Sequence, residues 1–331
     1  ALDTADFFTG LFEAALLSRE RTLARSRSLP VVIVAGFLGA GKTTLMRHLL
    51  TSDHGLKIAA MVNDFAAFNV DAELISEASD DITAFANGCV CCSLSGGVAR
   101  GLADISARDD DVDVVLLEAS GVSDPAAIAQ VACTVENVLL DCIVTVVDAA
   151  ATLESASEED LLRRYVTPAN IVLLNKTDLV SSADLDSMNR RLKGFAPHAQ
   201  ILRTVNCAVP AMVVFDSATA PETSVICAPA LQDHDYKTVV LTSATPIDRQ
   251  LLEAFLGMIP DGIIRMKGFL CFADTAAIPS LLQSVGPRWS LSDAPGQALN
   301  TSSLVVIGQR AVMSSPNTLD HFLSLGFQLP S

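Results

Sequence analysis

Basic residues are scarce in this chain. Of its 331 residues 22 are Lys or Arg against 38 Asp or Glu, a formal charge of −16. Such a surface repels phosphate backbones and anionic lipid headgroups, which argues against nucleic-acid and membrane partners. It favours cations and basic partners instead. Half of the residues are hydrophobic, yet no run reaches the roughly 18 uninterrupted apolar residues of a transmembrane helix. Cysteine is sparse too. Eight residues are too few for a disulfide scaffold, and the neighbours Cys91 and Cys92 would form only a strained bridge. Reduced thiols and a cytoplasmic location are the expectation. There is no internal repeat and no low-complexity tract. Near the start, Leu11-Phe12-Glu13-Ala14-Ala15-Leu16-Leu17 precedes Arg19, Arg21, Arg25 and Arg27. A secretory signal has its positive charge ahead of the apolar segment, so residues 1–30 read as an amphipathic helical extension.

The remaining length allows two domains. Val31-Val32-Ile33-Val34-Ala35 is a β-branched apolar run ending in glycine, the pattern of a buried parallel strand, and 42–50 reads as the helix after it. Further strands are expected at 58–62, 112–117, 142–147, 171–174 and 200–204. Helices fall between them at 97–107, 126–131, 158–164 and 182–192. That alternation predicts an α/β fold, a mostly parallel sheet covered on both faces, over residues 31–215. Residues 216–237 are polar, acidic and without periodicity, and read as a linker. From 238 a small α+β domain is expected, with strands near 239–241, 268–272 and 304–307 and helices near 248–256 and 317–325.

Chemistry enters with Gly36-x-x-x-x-Gly41-Lys42-Thr43, a phosphate-loop pattern set between a buried strand and a helix. Glycines let the N–H groups around Gly39, Ala40 and Gly41 turn inward on a β-phosphate, and the helix N-terminus adds its positive end. Lys42 would place its ammonium on the β- and γ-phosphates. Thr43 would hold Mg²⁺, and Thr44 would buttress the turn. Asn175-Lys176-Thr177-Asp178 follows directly on an apolar strand. Guanine presents N1–H and an exocyclic amine side by side, which one carboxylate, Asp178, can accept together; adenine offers no such pair. The Lys176 stem can lie along the base, and Asn175 can tie this loop to the phosphate loop. GTP is therefore expected over ATP. Asn206-Cys207-Ala208 is a better-placed companion turn than Ser243-Ala244, which lies beyond the linker.

Glu118 ends an apolar run and precedes Ala119-Ser120-Gly121, where an acid can hold a Mg²⁺-bound water or orient the attacking one. Asp64 is a second candidate. Asp148 is a third, more simply read as a turn or N-cap acid. No arginine is placed as a charge-stabilising finger, so intrinsic hydrolysis should be slow. Between phosphate loop and base motif lie Cys89, Cys91 and Cys92, three thiols within four residues. Thiolates are soft ligands suited to Zn²⁺, and also to Co²⁺ or Cu⁺. Three leave a tetrahedral shell one short. The site is either open for transfer or completed by water, a carboxylate or another chain, the last compatible with a homodimer.

The residues 36–44, Asn87-Gly88-Cys89-Val90-Cys91-Cys92-Ser93, Glu118-Ala119-Ser120-Gly121 with Asp124-Pro125, and 175–178 together resemble the CobW-like metallochaperone GTPases. That family includes nitrile-hydratase activators and zinc-transferring members. Arg265-Met266-Lys267-Gly268-Phe269 and Ile307-Gly308 extend the likeness into the second domain. The resemblance implies a GTPase domain with a smaller C-terminal domain. In it GTP binding organises the cysteines around a divalent ion, zinc first and cobalt next, and hydrolysis to GDP releases the ion to a client protein. Two departures stand out. The family's Asn-Glu-Phe-Gly stretch is Asn63-Asp64-Phe65-Ala66 here, and a histidine-rich segment is missing, since the chain has five histidines in all. The alternatives are a GTP-dependent regulatory or assembly module with partner-binding or redox-sensing cysteines, and a P-loop kinase, which the guanine motif disfavours.

Overall fold

A computed structural model of the chain describes residues 28–62, 82–86, 94–107, 112–121, 123–151, 156–215, 235–274, 278–294 and 301–329. Among these, strands alternate with helices through residue 215. They run β1 (Leu29–Gly36), α1 (Lys42–Thr51), β2 (Ile58–Val62), β3 (Ile82–Ala86), α2 (Leu94–Ser106), β4 (Val114–Glu118) and α3 (Pro125–Thr134). Then come β5 (Val138–Asp148), α4 (Ala156–Val166), β6 (Ile171–Asn175), α5 (Ser182–Phe195), β7 (Gln200–Arg203) and a single turn α6 (Ala211–Val214). A seven-stranded sheet has the order β3-β2-β4-β1-β5-β6-β7. Its pairs β1–β4, β2–β3, β2–β4, β5–β6 and β6–β7 are all parallel.

The chain packs as two compact units, residues 1–34 with 55–141 and residues 35–54 with 142–331. In the first, β2, β4 and the start of β1 lie side by side, with Val31 opposite Val115 and Ile58 opposite Val114. Their side chains, Val31 to Val34 and Val115 to Leu116, are fully buried, which is why these runs read as continuous apolar stretches. Helices α2 and α3 pack on each other. The start of α3 is set by Asp124, whose carboxylate accepts from Ala126 N–H at 2.9 Å, with Pro125 at the first helical position.

The second unit holds the end of β1, α1, β5 from Cys142 onward, β6, β7 and the rest of the chain. One core lies between α4, α5 and the strands: Leu162 and Val166 meet Val172, Leu174 and Leu192. Beyond residue 235 follow β8 (Tyr236–Ser243), α7 (Arg249–Leu256), β9 (Ile263–Leu270), β10 (Ser280–Val285), β11 (Arg288–Asp293), β12 (Ser302–Gln309), α8 (Arg310–Met313) and α9 (Pro316–Ser324). These strands form a separate antiparallel sheet, β11-β10-β9-β12-β8. Its own core, Leu241, Met266, Leu282 and Val306, is closed by Phe255, Phe322 and Phe327. Strand β8 begins at Tyr236, inside the stretch read as linker, because Tyr236 and Lys237 pair with Gln309 and Gly308.

Residues 168–203 also meet this second sheet. Arg288 donates to Pro168 O, Gly262 N–H donates to Gln200 Oε1, and Lys193 pairs with Asp261 at 3.2 Å. Burial holds the Arg288 pKa below its ordinary value. No helix of the described residues is long and apolar enough to cross a membrane.

Candidate nucleotide site

The loop after β1 is shaped by its glycines. At Gly36 the backbone has φ 138° and a Cβ would lie 2.2 Å from Val146 O, so a side chain there would push β1 off β5. Gly41 (φ 118°) precedes α1, and no side chain caps that helix. Its first N–H groups therefore face the loop, the arrangement that favours an anion. Lys42 is 6% exposed and its Nζ donates to Phe37 O at 3.0 Å, which keeps the ammonium within the loop. Thr43 is half-buried as the second residue of α1, and Thr44 is exposed.

Asn175, 2% exposed at the end of β6, binds three segments together. Its Nδ2 donates to Ala40 O at 3.0 Å, and its Oδ1 accepts from Cys207 N–H at 2.8 Å and from Thr204 Oγ1 at 3.3 Å. The expected tie between base motif and phosphate loop is present. A Cβ on Gly41 would meet Asn175 Nδ2 at 2.6 Å and Cys207 Sγ at 3.0 Å, so the knot closes directly under the loop. Asn175→Ala strands the Cys207 N–H and the Ala40 carbonyl in a dry place. We expect a loss of about 2–3 kcal/mol in urea unfolding, together with weaker nucleotide binding in the same preparation. Unchanged unfolding would mean that water reaches these groups.

Lys176 follows in the left-handed region (φ 61°), and its Nζ reaches Asp148 at the end of β5. Asp178 lies in the short turn Thr177–Leu179 and is exposed, open to a ligand. Glu118, half-buried, ends β4 in the other unit. Cys89, Cys91, Cys92 and Asp64 lie outside the described residues; in sequence the cysteines fall between β3 and α2.

Two contributors had little or no signal in the sequence. Asn206 and Cys207 both take positive φ, 53° and 54°, which costs non-glycine residues energy and turns the Cys207 thiol inward, where it donates to Gly41 O at 3.4 Å. Burial pushes that thiol up to about 12, against the lowering charge of Lys176, so it stays a neutral donor. The Asn206-Cys207-Ala208 turn could be picked out in the sequence, but the use of its thiol could not. His48 on α1 contacts Val209 O at 2.8 Å and pins the same segment, and a lone helical histidine gives no hint of that. Ser243, by contrast, ends β8 in the second sheet and donates to Thr245 O, away from the base motif.

Strand, phosphate loop, helix N-terminus and a knotted Asn-Lys-Thr-Asp motif on a parallel sheet define a P-loop GTPase. Residues 30–203 match the CobW/HypB/UreG nucleotide-binding domain, and residues 236–321 match the cobalamin synthesis protein cobW C-terminal domain. The chain belongs to this family. Among similar proteins, the zinc chaperone YjiA of Escherichia coli is 30% identical over 306 residues, covering 85% of this chain and 94% of its own. The zinc chaperone CobW of Pseudomonas aeruginosa is 30% identical, covering 87% and 89%. The zinc-regulated GTPase metalloprotein activator 1 of Dictyostelium discoideum is 30% identical, covering 80% and 67%.

Proposed function

We propose that this chain is a GTP-driven zinc chaperone: it holds Zn²⁺ on Cys89, Cys91 and Cys92 in its GTP state and passes the ion to a client protein on hydrolysis. The observation that carries this reading is one chain holding both the knotted phosphate loop and a Cys-x-Cys-Cys motif, in a family whose similar members are named zinc chaperones. Soft thiolates suit zinc, with cobalt next, and must be reduced to bind it, which fits a cytoplasmic setting. Thr43 offers a hard oxygen donor of the kind Mg²⁺ takes. The ion would neutralise charge between the β- and γ-phosphates. Lys42 holds the same oxygens from the loop, and Asp178 accepts the two guanine N–H donors. Slow turnover by the isolated chain is the expectation, since the sequence places no evident arginine finger.

The test is zinc affinity by competition with a chromophoric chelator, with GTP·Mg²⁺ and then with GDP. GTP should tighten zinc binding, and Cys89→Ala, Cys91→Ala and Cys92→Ala should each abolish that gain. Equal affinity in both nucleotide states, unaffected by the three substitutions, would sink the chaperone reading and leave a GTP-dependent regulatory module. Repeating the titration with Co²⁺ and Ni²⁺ ranks the metals.

A further inference from the structure

From the ion pair at the ends of β5 and β6 we infer that Asp148 is a positioning residue of the guanine site. It holds Lys176 where its aliphatic stem covers the base. The inference rests on the reading of 175–178 as the base motif.

Asp148 and Asn175 are register partners at the carboxyl ends of adjacent parallel strands, and Ala149 N–H donates to Asn175 O at 2.8 Å. Ligands of open parallel sheets bind outside those strand ends. Directly after Asn175 the chain turns left-handed at Lys176 (φ 61°, ψ 37°), a conformation that is uncommon for a residue with a side chain. The turn sends the lysine back across β5 instead of outward, and Asp148 Oδ2 receives its Nζ. The other oxygen, Oδ1, accepts from Ala150 N–H at 2.9 Å. The carboxylate is thus clamped by its own turn on one side and clamps the lysine on the other. Both oxygens face donors, which argues against the magnesium role considered for this residue.

Stability does not explain the pair. Its side chains are 34% and 21% exposed, and ion pairs open to water add little to folding. What the pair does supply is order. A free lysine has one of the largest rotamer entropies of any side chain, and a base that must immobilise it binds more weakly. With Asp148 present, the stem is already extended when the nucleotide arrives.

The experiment is titration of fluorescently labelled GDP against the full chain and its variants Asp148→Asn, Asp148→Glu, Lys176→Met and the double Asp148→Asn/Lys176→Met. Each of Asp148→Asn and Lys176→Met should weaken GDP about tenfold, the scale of one charge-assisted contact. The double variant should be no weaker than either single one, and Asp148→Glu should recover most of the loss. The magnesium concentration for half-maximal GTP hydrolysis should stay where it is. Asp148→Asn binding GDP like wild type, losses that add in full, or a raised magnesium requirement would each overturn the proposal. Should Asp148→Asn fail to fold, Lys176→Met binding GDP like wild type would overturn it alone. Asp178→Asn is the control on the base motif: it should trade guanine for xanthine nucleotides. If it does not, the base reading falls; if it does while Asp148→Asn is silent, only the positioning role falls.

Discussion

Lys42→Ala is expected to lower single-turnover GTP hydrolysis by about 100- to 1000-fold, the scale on which one preorganised donor to a developing charge is missed. The size follows from where the ammonium lies. Lys42 opens α1, is 6% exposed, and is held to the Phe37 carbonyl inside the loop. Its charge therefore acts in surroundings drier than water, where it is worth more than on the surface. The backbone N–H groups of the loop survive the substitution, so binding weakens less than turnover. Lys42→Arg should not rescue, since a planar guanidinium cannot take the place of a compact ammonium in a closed loop. Phosphate release with the protein in saturating excess over GTP measures the effect, with circular dichroism to show that the fold persists. Hydrolysis within tenfold of wild type would mean that the phosphates are bound elsewhere.

Gly268→Ala, far along the chain, should be a severely damaging single methyl. Gly268 sits in β9, the middle strand of the second sheet, between Leu282 of β10 and Leu304 of β12. A Cβ there would stand 1.9 Å from Ser303 O and 2.6 Å from Leu304 Cα. Both are backbone atoms of a paired strand, so no rotamer change relieves the contact, and β12 must move off β9. Overpacking of this kind costs about 3 kcal/mol. In a sheet domain of this size that lowers the melting temperature by roughly 10–20 °C. Calorimetry of the full chain would show it as an early transition belonging to the second sheet. A variant melting with the wild type would mean that β9 and β12 are farther apart in solution.

Much of this was legible beforehand, for definite reasons. Strands buried on both faces must be apolar throughout, so 31–35, 58–62 and 171–174 announced themselves. A phosphate loop needs its glycines at set positions, and Gly36 and Gly41 stand there with the backbone angles that only glycine takes easily. The second sheet was harder. Strands β10 and β11 pair as a hairpin around Gly286-Pro287, but Arg288-Trp289-Ser290-Leu291-Ser292 is half-buried throughout and mixes polar with apolar residues. Short strands of that kind look like loop until a neighbour is known. Strand β3 escaped for a related reason: among the described residues it stands at the edge of the sheet, beside β2.

The sequence by itself determined the chemistry on offer: a phosphate-loop pattern, an Asn-Lys-Thr-Asp motif, three thiols within four residues, and a net charge of −16. Each depends on residue types at short spacings, which the chain carries wherever it goes. Only the tertiary structure decided which distant groups lie against those motifs. Cys207 under Gly41, His48 on the Val209 carbonyl and Asp148 against Lys176 are separated by 166, 161 and 28 positions. Parallel strands bring such residues to one sheet end through helical crossovers, and no local pattern records where a crossover returns.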